Sequence, residues 1–291
     1  MICITGAGGT VGREVVKQLE LAKVPFRVAY FSKEKVDAAL AKGIDAVIID
    51  YNRPETLRAA FQGCEKLFLL GPNALNQTQL ELNAVEAAKA VGIKYIIKQS
   101  VMGAESESYS LAHVHRPVEK AIEASGIEWT FLRPNSFMQN VVTFMSETIK
   151  AESVFYSASD QGKIAHVDVR DIAAVAVKAL TESEPIHFGQ AYTLTGPEAL
   201  SYDDLASELS KVLGRTISHI SLSPEDLKQG MLAEGMPEAI ADRMLDLERY
   251  YREGKASLIT NDIKQVTGQE PRRFADYACD YAPLLKSQVT V

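Results

Sequence analysis

Three glycines and one histidine are the residues of this sequence best placed to do chemistry. Gly6, Gly9 and Gly12 stand three apart, after the apolar run Ile2-Cys3-Ile4 and ahead of the helical spacing Val11, Val15, Leu19. A buried strand, a glycine turn and an amphipathic helix, in that order, open a βαβ dinucleotide site. Gly6 permits the tight turn. Gly9 lets the backbone approach a pyrophosphate that a Cβ would strike, and Gly12 lets the helix pack close to the strand. The N–H groups of Gly9 to Gly12 and the helix dipole then attract phosphate charge. The spacing is G-x-x-G-x-x-G; Gly8 adds a further glycine, but Val11 leaves G-x-G-x-x-G incomplete.

The histidine is His115. A dehydrogenase with a Tyr-x-x-x-Lys pair would carry it between the fifth strand and the next helix, here SESYSLAHVHRPVEKAIE. Tyr109 has His113 four residues on, so the pair is not there. Imidazole titrates near neutral pH, which makes His115 the best remaining proton donor. Its other reading is a packing and hydrogen-bonding histidine. Pro117 prefers a first helical turn and so predicts His115 just outside the helix start. His113 is a weaker second candidate, and His166, beside Asp168, reads as structural. Ser100 has no motif-level base partner. No His, Cys or carboxylate cluster has metal spacing, so no metal is expected.

Alternating strands and helices must position these groups. Strands are read at 27–31, 46–49, 67–70, from Tyr95 to about Ser100, and at 129–132, with a helix between each pair. This predicts an α/β fold: a Rossmann-type doubly wound parallel sheet with right-handed crossovers. The second strand runs into Ser32-Lys33, with Lys35 nearby. An acid there would favour NAD, so the basic residue Lys33 leans toward NADP(H); both lysines also read as solvated helix-start residues. Asp50 ends the third strand, where it either contacts adenine or caps the turn. Gly71-Pro72-Asn73 follows the fourth strand, where the cofactor crosses such sheets. Residues 137–149 look helical, and Phe137, Met138, Val141, Phe144 and Met145 either fill the core or line an aromatic-ligand pocket. Residues 169–180 form a buried helix, 192–194 a strand and 202–213 a helix ended by Gly214. Beyond about Pro197 the chain reads as a smaller, mostly helical C-terminal lobe. The expected division is a cofactor-binding core, 1–135, and a substrate-covering portion, 136–291, some of which returns to the sheet.

Composition narrows the partners. The 291 residues are 46% hydrophobic and 24% charged, with a formal net charge of -7. The sequence pI of about 5.4 argues against a nucleic-acid surface. Cys3, Cys64 and Cys279 are far apart, which suits a reducing, cytoplasmic location. The first strand begins at once, so no signal peptide is expected, and no apolar run has the length of a membrane span.

Several stretches together resemble the NmrA-like atypical short-chain dehydrogenases. They are TGAGGTVG at the start, IIDYNRPETL from Ile48, LAHVH from Leu111, TFLRPNSFMQN from Thr130, HVDVRDIAAVA from His166 and YTLTGPEALSYDDLASELSKVLGR from Tyr192. The resemblance covers nearly the whole chain. It implies that Gly6, Ala7, Gly9, Thr10 and Val11 hold the pyrophosphate. Gly71 to Asn73 and the Arg133 to Met138 stretch, Asn135 included, would flank the rest of the cofactor. Met102, His115, Phe137, Met138 and Asn140 would face the substrate. Relatives often carry Arg-Asn after the second strand, where this chain has Ser32-Lys33.

The leading expectation is an NAD(P)H-dependent reductase that delivers hydride to an electron-poor conjugated acceptor such as a quinone, an azo compound or a triphenylmethane dye. NADP(H) is the preferred cofactor and NAD(H) a possible one. Such acceptors are already electrophilic, so a tyrosine acid matters less. The alternative is an NmrA-type dinucleotide-binding redox sensor with little turnover. A sugar-nucleotide epimerase rests on the glycine turn alone. The oligomeric state is left open, a homodimer included.

Overall fold

In the computed structural model, which describes residues 1–182 and 185–286, the opening strand β1 (Ile2–Ile4) is buried along its whole length. Its neighbours follow from alternating apolar runs and amphipathic helices: α1 (Thr10–Leu21), β2 (Phe26–Tyr30), α2 (Lys33–Leu40), β3 (Asp45–Ile48), α3 (Pro54–Phe61) and β4 (Lys66–Leu69). Then come α4 (Gln77–Val91), β5 (Tyr95–Gln99), α5 (Ser110–Glu123) and β6 (Glu128–Pro134). The second half holds α6 (Ser146–Glu152), β7 (Val154–Ser157), α7 (Val169–Thr181), β8 (Gln190–Leu194), α8 (Tyr202–Leu213) and β9 (Ser218–Ser221). Helices α9 (Pro224–Ala233), α10 (Glu238–Arg252), α11 (Asp262–Thr267) and α12 (Phe274–Leu285) complete it.

The main sheet has seven strands in the order β3-β2-β1-β4-β5-β6-β8. Strands β1 to β6 pair in parallel, with Ile2 opposite both Phe26 and Lys66. The order reverses at β1, where β2 lies on one side and β4 on the other. This is the switch point at which such sheets leave a crevice at their carboxyl ends. Leu67, Phe68 and Leu69 of β4 and Ile96 and Ile97 of β5 are fully buried, as expected of a parallel sheet covered on both faces. Burial of that size is what holds the sheet, at about 25 cal/mol per Å² of apolar surface.

The chain divides into two compact units. The first comprises Met1–Glu107, Ala112–Pro134 and Val169–Thr193; the second comprises Ser108–Leu111, Asn135–Asp168 and the chain from Leu194 onward. Helix α7 thus belongs to the first unit, where it packs on α1, and Gln18 Nε2 donates to the Arg170 carbonyl at 3.0 Å.

Two sequence readings are corrected. Residues 137–149 are not one helix. Met138 N–H donates to the Val167 carbonyl and Val167 N–H to the Ser136 carbonyl, which holds Phe137 extended in a bridge with Val167. A π-helical turn, Val141–Met145, then leads into α6. His115 lies inside α5, not before it. The helix begins at Ser110, whose N–H and hydroxyl both donate to Asp246 at 2.6 Å, and Pro117 is carried within it. Strands β7 and β9 were not anticipated. They form a separate parallel pair with Phe155 opposite His219.

Candidate active site

The glycine turn closes on itself before α1 begins. Gly6 has φ +64, a left-handed backbone that glycine alone adopts freely, and its carbonyl accepts from Gly9 N–H at 2.9 Å. A Cβ on Gly12 would lie 2.1 Å from the Gly6 carbonyl oxygen, so the close approach of α1 to the turn requires glycine there. Gly9 differs. Its Cβ would meet only the Gly6 oxygen, at 3.3 Å, so the protein itself leaves room beside it. Gly9 is also the N-cap of α1 and no side chain caps that helix end. An uncapped, positive helix terminus behind an open glycine is a fit for a phosphate. Gly9 and Thr10 are exposed, whereas Ala7 and Val11 are buried and face the core.

Thr5 fixes this turn to the next strand end. Its hydroxyl donates to the Phe68 carbonyl at 3.0 Å and accepts from Leu70 N–H at 2.9 Å. Gly71 follows directly; its N–H donates to Glu81 at 2.9 Å, and a Cβ there would fall 2.5 Å from Glu81 Cγ. Pro72 and Asn73 are exposed. Asp50 accepts from Asn52 N–H at 2.9 Å, and its carbonyl accepts from Thr56, so its contacts within the chain are those of a turn.

The two lysines after β2 separate. Lys33 is exposed on α2, with its ammonium 2.6 Å from Asp37. Lys35 reaches back to the glycine turn, since a Cβ on Gly8 would lie 2.9 Å from its Nζ. Phe31, which ends the second strand in the sequence reading, lies just past β2 and is 77% exposed.

Behind Gly71 lies a buried polar cluster that the sequence did not signal. Lys98 on β5 and Glu81 on α4 both have fully buried side chains, 2.9 Å apart. Lys98 Nζ also donates to the Gln99 carbonyl and lies 3.1 Å from His115 Nδ1. Gln77 donates to Glu81 at 3.3 Å. His115 is 9% exposed. One turn further along α5, burial pushes the Glu119 carboxyl up, but the Arg133 guanidinium at 2.8 Å, Ser100 and Arg116 together outweigh this and hold it below its ordinary value. Met102 is buried, and its N–H donates to the Pro134 carbonyl.

The remaining expected residues lie in the second unit. Asn135 is buried, and its side chain donates to the Ala256 carbonyl at 2.8 Å. Met138 is 1% exposed and its methyl lies 3.4 Å from where a Gly196 Cβ would be. Phe137 is half-buried, as is Asn140, which donates to Ser136 Oγ at 3.3 Å. In the same unit Ser157 Oγ is 2.8 Å from His219 Nε2, and His219 Nδ1 is 2.8 Å from Asp203. That is the hydrogen-bond order of a nucleophile triad. Ser157 is 1% exposed, however, and its Oγ accepts from Ser159 N–H, so the chain ties β7 to β9 rather than offering a nucleophile.

Among the described residues no group of three or more His, Cys, Asp or Glu could hold a metal ion, and no helix is long and apolar enough to cross a membrane. The NmrA-like family matches residues 1–279. This chain belongs to the NmrA-like family. It is 35% identical over 283 residues to the NAD(P)H azoreductase of Xenophilus azovorans, covering 97% of this chain and 98% of that one. Among solved structures it is similar to the NADPH-dependent quinone oxidoreductase of Escherichia coli complexed with NADPH, with a TM-score of 0.88, 29% identity and coverage of 97% and 100%. It is likewise similar to the Citrobacter triphenylmethane reductase complexed with NADP(H), with a TM-score of 0.86, 28% identity and the same coverage.

Proposed function

We propose that this NmrA-like protein binds NADP(H), accepts NAD(H) less well, and reduces electron-poor conjugated acceptors of the quinone, azo or triphenylmethane type. The observation that carries the reading is the uncapped start of α1 behind Gly9, in a chain 35% identical to an NAD(P)H azoreductase. When bound, the reduced nicotinamide supplies the hydride. The protein binds and orients. Gly6, Ala7, Gly9, Thr10, Val11 and Gly12 hold the pyrophosphate through backbone N–H groups and the helix dipole. Lys35, over Gly8, supplies phosphate charge, and Lys33, shared with Asp37, adds to it more weakly. Asp50 and the Gly71-Pro72-Asn73 turn flank the cofactor, and His115 and Met102 face the acceptor. No Tyr-x-x-x-Lys acid is needed, because these acceptors take hydride without prior protonation.

The test is loss of reduced-nicotinamide absorbance with a quinone, an azo dye and a triphenylmethane dye, with NADPH and NADH run side by side. Saturable turnover that is faster at low NADPH than at low NADH supports the reading. Tight NADPH binding with no turnover on any acceptor overturns it in favour of a dinucleotide-sensing regulator.

A further inference from the structure

Lys98 and Glu81 carry an inference beyond the reductase reading, on which it rests. We propose that they are positioning residues that hold His115 as a neutral imidazole with its proton on Nε2, so that His115 acts as a hydrogen-bond donor to a developing oxyanion and not as an imidazolium acid.

The argument is one of donors and acceptors. With the Glu81 carboxylate 2.9 Å away, Lys98 is an ammonium. An ammonium has three N–H donors and nothing that accepts. Its three directions are taken by Glu81, the Gln99 carbonyl and His115 Nδ1 at 3.1 Å. His115 Nδ1 must therefore accept, and the ring proton resides on Nε2. A second positive charge on the ring would face the ammonium at that same distance, which opposes the imidazolium. Three neighbouring ionisable groups have partners of their own. Glu81, from α4, is turned to Lys98; Glu119, on α5, is held by Arg133 of β6 and by Arg116; His113 faces Glu107.

A fully buried ion pair is seldom the most stable filling of a core, since apolar residues of like volume often do as well or better. This pair also joins two places the proposed reaction uses. The carboxylate that fixes Lys98 also accepts the N–H of Gly71, the first residue of the turn after β4. One side chain thus sets both the cofactor turn and, through Lys98, the histidine.

The chemistry divides acceptors. A quinone that takes up a hydride becomes a hydroquinone monoanion, with its new negative charge on oxygen. A neutral Nε2–H stabilises that charge by a hydrogen bond and keeps its own proton. The anion takes its final proton from water on release. A cationic triphenylmethane dye becomes neutral on taking up a hydride, and no oxyanion forms.

Nitrogen NMR of the holoprotein, with ring-labelled histidine, tests this directly. The His115 signals are assigned by their loss in His115→Asn. The expected result is a protonated Nε2 and a bare Nδ1 from about pH 5.5 to about pH 8.5, with no titration between. In the charge-balanced double variant Glu81→Gln/Lys98→Met, the ring should titrate within that range. In that variant the ratio of quinone to cationic-dye kcat should change with pH as the ring titrates, whereas in the wild type it should stay flat across the same range. A proton on Nδ1, or wild-type titration near the ordinary histidine value, overturns the proposal. So does a folded double variant with an unchanged ring and a flat ratio. Should the double variant not fold, the wild-type spectrum alone decides. A protein that shows the expected ring yet reduces neither acceptor supports the assignment and overturns the reductase reading instead.

Discussion

At the scale of single residues, the glycines of one turn have different tasks. A Gly9→Val chain should fold, because one atom at 3.3 Å is all that its Cβ meets, but its branches would fill the phosphate's place. Calorimetry should show NADPH affinity lowered by at least about 100-fold, or about 2.7 kcal/mol. Unchanged affinity would remove the site from this turn. Gly12→Ala should instead lose stability, since its Cβ would overlap the Gly6 carbonyl. The lysines separate in the same way. Lys35→Ala should weaken NADPH binding about tenfold, the loss of one charge-assisted contact, and Lys33→Ala much less, because its ammonium is shared with Asp37. The reverse order of the two variants would return the phosphate to Lys33.

At the scale of elements, the site depends on how strand ends are tied. Thr5 holds the end of β1 to the end of β4 through the Phe68 and Leu70 backbones and is itself fully buried. Thr5→Val keeps the shape and leaves Leu70 N–H unpaired. Urea unfolding should show a loss of about 1–3 kcal/mol, the cost of an orphaned buried donor. NADPH affinity should fall as well, because Leu70 precedes the Gly71 turn. Full stability in Thr5→Val would mean that another group satisfies Leu70. Helix α5 shows the same dependence on ties. Pro117 suits a first turn, yet the Ser110–Asp246 bonds start the helix seven residues earlier, and this places His115 within it, against Lys98.

At the scale of the whole molecule, one buried histidine sets an acid limit. His166 has neither ring nitrogen hydrogen-bonded, and burial pushes its pKa down to about 3 from 6.5. The unfolded chain binds the proton and the folded chain does not. Stability from this group is therefore full above pH 6.5 and declines as pH falls toward about 3. Between about pH 7 and about pH 5 the loss should be about 2 kcal/mol. Denaturant midpoints should fall over that interval, and His166→Met should lose less across it than the wild type. Equal losses in both would show that His166 does not set the limit.

The sequence by itself determined the parallel sheet and the glycine turn. These features depend on local pattern: period-two and period-3.6 apolar spacing, and glycines where a Cβ cannot fit. It also determined the family, through motifs spread along most of the chain. The tertiary structure alone decided the rest. Nothing in the sequence marks Lys98 out, and only the pairing of β5 between β4 and β6 buries it beside Glu81, 17 residues away on α4. That Lys35 and not Lys33 reaches Gly8 turned on which face of α2 looks toward the glycine turn. Strand β9, Ser-His-Ile-Ser, has too little apolar pattern to be read alone and exists because β7 pairs with it. The physical reason is common to all three. A contact between residues distant in sequence leaves no period in the chain, so its partners become visible only when the fold brings them together.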